Sequence, residues 1–268
     1  RIAGRAVDPG ATLEELGLSS LERIEMMVAL EEALDTSIDE AAFSNATTVA
    51  ELERLAAAPA PTAPAPESAF PSWNRTPAIR AMRAVSQAAF LLPLTRAFAW
   101  ITVKGLENLT PLHSPVIFAA NHQSHMDTPV ILAALPGRWR RRVATATAKE
   151  FFKAHFFPEQ HTRKEWFTNS LNYWLSAAFF NAFPLPQREA GARQTLRYAG
   201  ELIDDGFSVL IFPEGRRTEH GEIAVFRPGV GMMASRLGVP VVPVRLEGVD
   251  RVLHKKWRMA RPGSVTVT

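Results

Sequence analysis

The chain has 268 residues and a mass of 29.6 kDa, enough for two domains or one large α/β domain. Hydrophobic residues make up 47% and charged residues 21%, so the chain can bury a core and is not disordered as a whole. It has no cysteine, which excludes disulfides, thiolate metal sites and a cysteine nucleophile.

The net charge of +3 conceals a division. Residues 1–58 hold twelve acidic and four basic residues, a balance of −8, and the remainder has a balance of +11. Two blocks of opposite sign point to two domains with different partners. The N-terminus RIAGRAVDPG lacks a basic-then-apolar leader pattern, so a cytoplasmic chain is expected. It begins without Met and stops within the strand-like SVTVT, so both ends read as cut from a longer chain.

In chain order, the first elements are helical. Leu21, Ile24, Met27, Val28 and Leu34 are spaced to line one helix face. Ser19 precedes Glu22 by three residues, as in a capping box. Thr47 or Thr48 is placed to cap a short helix, VAELERLAAA. Residues 1–58 therefore read as a small all-α domain whose first helix is truncated.

The segment AAPAPTAPAPESAFP, residues 57–71, has almost nothing to bury and reads as a polyproline-like linker. The linker is set at 59–75 and the second domain at 76–268. Residues 76–103 are apolar with basic punctuation from Arg80, Arg83, Arg96 and Lys104. They read as one or two amphipathic helices on a membrane surface, with a helical hairpin packed on the core, or a true span, as alternatives. Pro93 would kink a helix there.

From residue 115, the strand-like runs PVIFAAN, RVATATA, FSVLIFP, PVVPVRL and SVTVT alternate with helical TPVILAAL, ARQTLRYAGELIDDG and GVGMMASRLG. Such alternation predicts an α/β domain with a mostly parallel sheet flanked by helices. Residues 139–183 hold 12 of the 24 aromatic residues, expected either in core helices or in a lipid-facing or acyl-binding wall.

NHQSHMD, residues 121–127, directly follows the strand PVIFAA, and the carboxyl ends of such strands are where α/β sites form. His122 and Asp127 are close enough for the carboxylate to hold one imidazole nitrogen and free the other as a base. A histidine satisfied in a polar loop is the alternative. FPEGRRT, residues 212–218, ends a second strand, with Gly215 allowing close backbone approach and Arg217 suited to a phosphate. FPLPQRE places Arg188 after an apolar run.

As a set, these segments resemble the 1-acylglycerol-3-phosphate (lysophosphatidic acid) acyltransferase family over about residues 76–268. NHQSHMD resembles its His-x4-Asp block, Arg188 fits its second block, FPEGRRT its third and VPVVP (239–243) its fourth, with Lys149 in TAKEFFK in the usual place. Arg216 stands where the family more often has Thr. Likewise LGLSSLERIEM resembles an acyl carrier protein, with Ser20 as the 4′-phosphopantetheine attachment point and Ser19 where that family has Asp. A helix N-terminus suits a phosphodiester; the alternative is that both serines only cap the helix.

The resemblance implies transfer of a fatty acyl group from an acyl-carrier or acyl-CoA thioester to a lysophospholipid hydroxyl. It makes His122 the general base and Asp127 its orienting partner. Arg188, Arg217 and Lys149 would bind substrate, and Glu214 and Gly215 would shape the pocket. No metal and no nucleic-acid partner are implied, and the expected location is the cytoplasmic side of the cell membrane, peripheral or monotopic. A non-phosphate lyso-lipid acceptor, or an inactive lipid-binding module, are the rival readings.

Overall fold

The computed structural model describes residues 26, 27, 30, 34, 38, 42, 43, 46–57, 70–113, 115–185, 192–218, 221–227, 229–254, 256–257 and 259–268. They fall into two compact units, the larger made of Phe70–Gln187 and Leu196–Thr268.

In the smaller unit, Met27, Ile38, Phe43, Ala46 and Leu52 form a buried cluster. Its helix α1 (Val49–Ala57) opens on a reciprocal cap. Thr48 Oγ1 accepts from the Glu51 N–H at 3.3 Å, and Glu51 Oε2 accepts from the Thr47 and Thr48 N–H groups. Met27 is fully buried while Leu34 is 53% exposed, so the apolar face expected to join them does not extend to Leu34. Leu21, Ile24, Val28 and Ser19 lie outside the described residues.

The larger unit begins with Phe70–Arg75, residues whose composition reads as linker but which pack on the helix Ala192–Asp204 and the residue after it. Phe70 stacks on Tyr198 at 4.5 Å, the Tyr198 hydroxyl donates to the Pro71 carbonyl at 2.7 Å, and Arg75 pairs with Asp205 at 2.7 Å. The chain continues through α2 (Pro77–Ser86), a π-helical turn (Gln87–Leu91) and α3 (Leu92–Phe98). The widened turn has a cause in the sequence. Pro93 has no N–H and its ring would collide with the carbonyl four residues back, and the Leu92 N–H reaches Gln87 instead.

The remaining elements are β1 (Ala99–Val103), β2 (Ile117–Ala120), α4 (Asp127–Ala134), α5 (Gly137–Arg140), β3 (Val143–Ala148), α6 (Lys153–Phe156), α7 (Arg163–Phe180), β4 (Ala182–Leu185), α8 (Ala192–Asp204), β5 (Ser208–Ile211), α9 (Gly229–Leu237), β6 (Val241–Val244), β7 (Leu246–Glu247), α10 (Val249–Val252) and β8 (Gly263–Val267). Five strands form a sheet in the order β4-β3-β5-β2-β6, and every pairing is parallel. β1, β8 and β7 form a second sheet, with β1 and β8 parallel.

Burial explains the pattern. β2 and β5 are central and buried throughout, hence their unbroken apolar runs. Successive β2 residues serve opposite faces. Phe118 and Ala120 pack with α4 and the small sheet, while Ile117 and Ala119 pack with α8 and α9. The edge strands β4 and β6 carry Pro184 and Pro243, which have no ladder donor and so suit a position with one free side.

Two of these strands depart from the sequence expectation. Residues 99–103, expected to be helical, form β1, because AWITV alternates buried and exposed positions and its β-branched residues favour the pleat. Residues 182–185 form β4 although they contain Pro184. Among the described residues no helix is long and apolar enough to cross a membrane.

Arg83 fastens α2 to α7. It is 5% exposed and has no carboxylate partner among the described residues; its guanidinium donates to the Ala178 carbonyl at 2.6 Å, the Asn74 carbonyl at 2.7 Å and the Ala177 carbonyl at 3.1 Å. Gln87 donates to the Phe179 carbonyl at 3.0 Å. The carbonyls of Ala177, Ala178 and Phe179 end α7 and lack intrahelical donors, and the dipole favours a cation there. Burial, with Arg80 nearby, still lowers the Arg83 pKa to about 10. Arg83→Met should leave several buried carbonyls unsatisfied and cost about 3 kcal/mol of unfolding free energy. Denaturant titration checks this, and an unchanged midpoint would refute the clamp.

Candidate active site

The loop after β2 is held residue by residue. Asn121 grips the backbone of Leu246, with Nδ2 donating to its carbonyl at 3.0 Å and Oδ1 accepting its N–H at 2.6 Å. Gln123 donates to the Gly221 carbonyl and accepts from the Val249 N–H. The Ser124 hydroxyl donates to the Leu253 carbonyl at 2.6 Å.

Asp127 opens α4 and is fully buried. Its Oδ2 lies 2.7 Å from His122 Nδ1 and accepts the backbone N–H groups of Gln123 at 2.7 Å and Ser124 at 2.8 Å. Burial raises the Asp127 pKa above the ordinary carboxylate range, against the pull of these hydrogen bonds. The carboxylate fixes the proton on Nδ1, which leaves Nε2 with its lone pair. The His122 ring stacks on Phe212 at 4.3 Å.

Glu214 is 3% exposed and its carboxylate spans two segments. Oε1 accepts the His122 N–H at 2.9 Å and Oε2 accepts the Ala224 N–H at 3.1 Å. The carbonyl of His122 accepts from the Thr218 N–H at 3.0 Å. The histidine backbone is thus held on both sides by the FPEGRRT turn. Gly215 makes that turn possible: its φ is +67°, and a Cβ there would lie 3.0 Å from the Arg227 guanidinium.

A cleft of about 690 Å³ runs from His122 and His125 past Arg216 and Arg217. Its far wall is apolar, from the end of β3, Phe151, and Leu175, Phe179 and Phe180 of α7. Nη1 of Arg217 is buried without a hydrogen-bond partner among the described residues, a donor available to a ligand. Burial lowers the Arg217 pKa, with the Asp127 charge acting the other way.

The structure therefore brings together His122, Asp127, Glu214, Gly215 and Arg217. Lys149 is not among the cleft-lining residues; its ammonium lies over the rings of Phe156 at 5.5 Å and Phe157 at 5.2 Å. Arg188 and Ser20 lie outside the described residues. The clamp of Glu214 and the stacking of Phe212 were not assigned from sequence, and the α7 wall was expected only as one reading of the aromatic segment 139–183. Only the wall left a trace there, as Asn172, Leu175, Ser176 and Phe179 at helical spacing. Among the described residues no three acidic or histidine side chains gather as a metal site.

A His-Asp pair thus stands at the carboxyl edge of the α/β sheet with an arginine beside it, an arrangement suited to proton abstraction next to an anionic group. Comparison with known proteins gives the class. The family model Acyltransferase matches residues 100–247, more than half of the chain, and the chain belongs to that family. A second model, Phosphopantetheine attachment site, matches residues 1–56. A chloroplastic 1-acyl-sn-glycerol-3-phosphate acyltransferase of Brassica napus is 26% identical over 152 residues, covering 56% of this chain and 38% of that protein. One from Chlamydomonas reinhardtii is 28% identical over 176 residues, covering 65% and 46%. The match thus spans less than half the length of these relatives. The crystal structure of the lysophosphatidic acid acyltransferase PlsC from Thermotoga maritima aligns at 24% identity with a TM-score of 0.46, over 71% of this chain and 65% of that one.

Proposed function

We propose that the chain transfers a fatty acyl group from a thioester to the free hydroxyl of a lysophospholipid such as 1-acylglycerol-3-phosphate, a step of phospholipid synthesis. The observation that carries this is the His122–Asp127 pair, with Nε2 unengaged among the described residues, at the head of a cleft that has an arginine donor at one side and a largely apolar wall. The acceptor hydroxyl gives its proton to His122 Nε2 as its oxygen attacks the thioester carbonyl. The carbon–sulfur bond breaks, and the proton passes from His122 to the departing sulfur as a thiol. Asp127 steadies the imidazolium in between. The acyl chain lies along the α7 wall.

Arg217 holds the acceptor phosphate. Arg217→Ala should raise the KM for a phosphate-bearing lysolipid roughly 10- to 100-fold, the worth of a charge-assisted hydrogen bond, with kcat less affected. Assayed across acceptors with and without phosphate, the enzyme should prefer the phosphate-bearing ones. Equal use of a lyso-aminolipid would contradict the assignment.

His125 lines the cleft but is assigned no proton transfer. Burial first, then Arg217 and His122, push its pKa down to about 4, although part of its ring is open to the cleft. It therefore stays neutral from about pH 5 upward. Any acid-side fall of kcat/KM above about pH 5 should therefore persist in His125→Gln, and its loss in that variant would assign the fall to His125.

Residues 1–58 serve as an all-α carrier domain bearing phosphopantetheine on Ser20, supported by the family match over 1–56 and the helix-start sequence. Residues 59–69 connect it to the catalytic domain, which begins at Phe70 rather than at 76. The thioester donor is this carrier, another acyl carrier or acyl-CoA. The enzyme works on the cytoplasmic side of the cell membrane, held at its surface. In support, Val85, Phe90 and Leu94 expose more than half of their surface, and α7 exposes Trp166, Phe167, Leu171 and Trp174.

A further inference from the structure

One groove of the larger unit plays no part in this reaction. It measures about 520 Å³ and is lined by Pro77, Arg80, Ala81 and Ala84 of α2 and by Arg138, Arg141 and Arg142. Four arginines share it, no carboxylate does, and none of the four is ion-paired among the described residues. Crowding like charges costs energy unless an anion is met there.

The guanidinium groups are also placed. Arg80 lies over Phe207 at 5.5 Å. Arg138 lies over Trp139 at 5.8 Å and donates to the Leu109 carbonyl at 3.3 Å. Arg142 packs against Gly206, where an added Cβ would be 2.5 Å from its Nη1. Side chains already ordered lose less entropy when they bind.

The groove sits at the amino edge of the five-stranded sheet. Arg142 directly precedes β3, and its carbonyl accepts the Ser208 N–H where β5 begins. His122 follows the carboxyl end of β2, so a ligand in the groove is not the acyl acceptor. On α2, the groove residues recur at helical spacing, and the exposed Met82 and Val85 stand on the adjoining face. Phe90 and Leu94 carry this apolar surface onward. An acidic protein would account for the arginines but not for the apolar side chains beside them. A bilayer surface accounts for both, with phosphates over the arginines and acyl region over the apolar residues.

We propose that Arg80, Arg138, Arg141 and Arg142 form a head-group site for anionic phospholipid, which docks the domain at a place separate from the catalytic cleft. The proposal rests on the membrane-surface reading above and adds its selectivity. Planar guanidinium forks grip a phosphate in a way that ammonium groups do not.

The test uses the full chain with vesicles of phosphatidylcholine, with and without phosphatidylglycerol. The unaltered chain should prefer the anionic vesicles. Replacing Arg138, Arg141 and Arg142 together by Gln should reduce that preference roughly 100-fold, about 1 kcal/mol for each cation, and leave binding to neutral vesicles in place. Replacing the same three by Lys should restore only part of it. Turnover of a short-chain, vesicle-free acceptor should be unchanged in both variants, which shows that they are folded. An undiminished preference in the Gln variant would overturn the site and point to an acidic protein partner. Full recovery with Lys would overturn it in favour of diffuse charge. Failure of the unaltered chain to bind either vesicle would instead overturn the membrane reading itself.

Discussion

His122→Ala should lower kcat by about 10³- to 10⁴-fold while binding of the lysolipid persists, because general-base catalysis contributes up to that range. Alanine removes the base that meets the acceptor proton, and among the described residues of the cleft no other group is placed to replace it. His125 cannot, since its pKa is pushed down to about 4 and it would be a feeble base. Asp127→Asn should cost less, but still more than tenfold. An amide oxygen can keep the hydrogen bonds from the Gln123 and Ser124 N–H groups, but it brings no negative charge to the imidazolium. Saturation kinetics with a separate binding titration distinguish the two effects. Near-normal kcat in both variants would end the base assignment.

Glu214→Gln should lower kcat roughly 10- to 100-fold and leave the acceptor KM almost unchanged. Both carboxylate oxygens of Glu214 already accept backbone N–H groups, from His122 and Ala224. It is therefore a positioning residue, holding the backbone of the base, and at 3% exposure its carboxylate is closed to substrate. Gln keeps one acceptor but turns an NH₂ toward the other N–H, and an unsatisfied buried donor costs about 1–3 kcal/mol. Glu214→Ala frees both N–H groups and should be worse, so partial rescue by Gln is part of the expected result. A raised KM with kcat preserved would mean that Glu214 contacts the acceptor.

The two halves of the site differed in how plainly the sequence displayed them. The His122–Asp127 pair was legible because its geometry is local: a strand end, a loop of six residues and a helix start bring the groups to 2.7 Å. The Glu214 clamp was not, because its partners are 92 and 10 residues away and only the fold brings them together. Lys149 was placed by family position, whereas its side chain rests on Phe156 and Phe157. Among the strands, β2, β3 and β5 declared themselves through runs buried on both sheet faces. β4 was hidden by Pro184, which argues against a strand everywhere except at an edge. β1 was hidden by the apolar helices that precede it, since five residues of alternation carry little weight beside them.

The central claim is acyl transfer from a thioester to a lysophospholipid hydroxyl with His122 as base. The chain is incubated with an acyl-labelled thioester and 1-acylglycerol-3-phosphate, and product lipid and liberated thiol are quantified together. The account predicts labelled phosphatidate and free thiol in equal amounts, both abolished by His122→Ala. Thiol released with labelled free fatty acid and no phosphatidate, or transfer that survives His122→Ala, would contradict it.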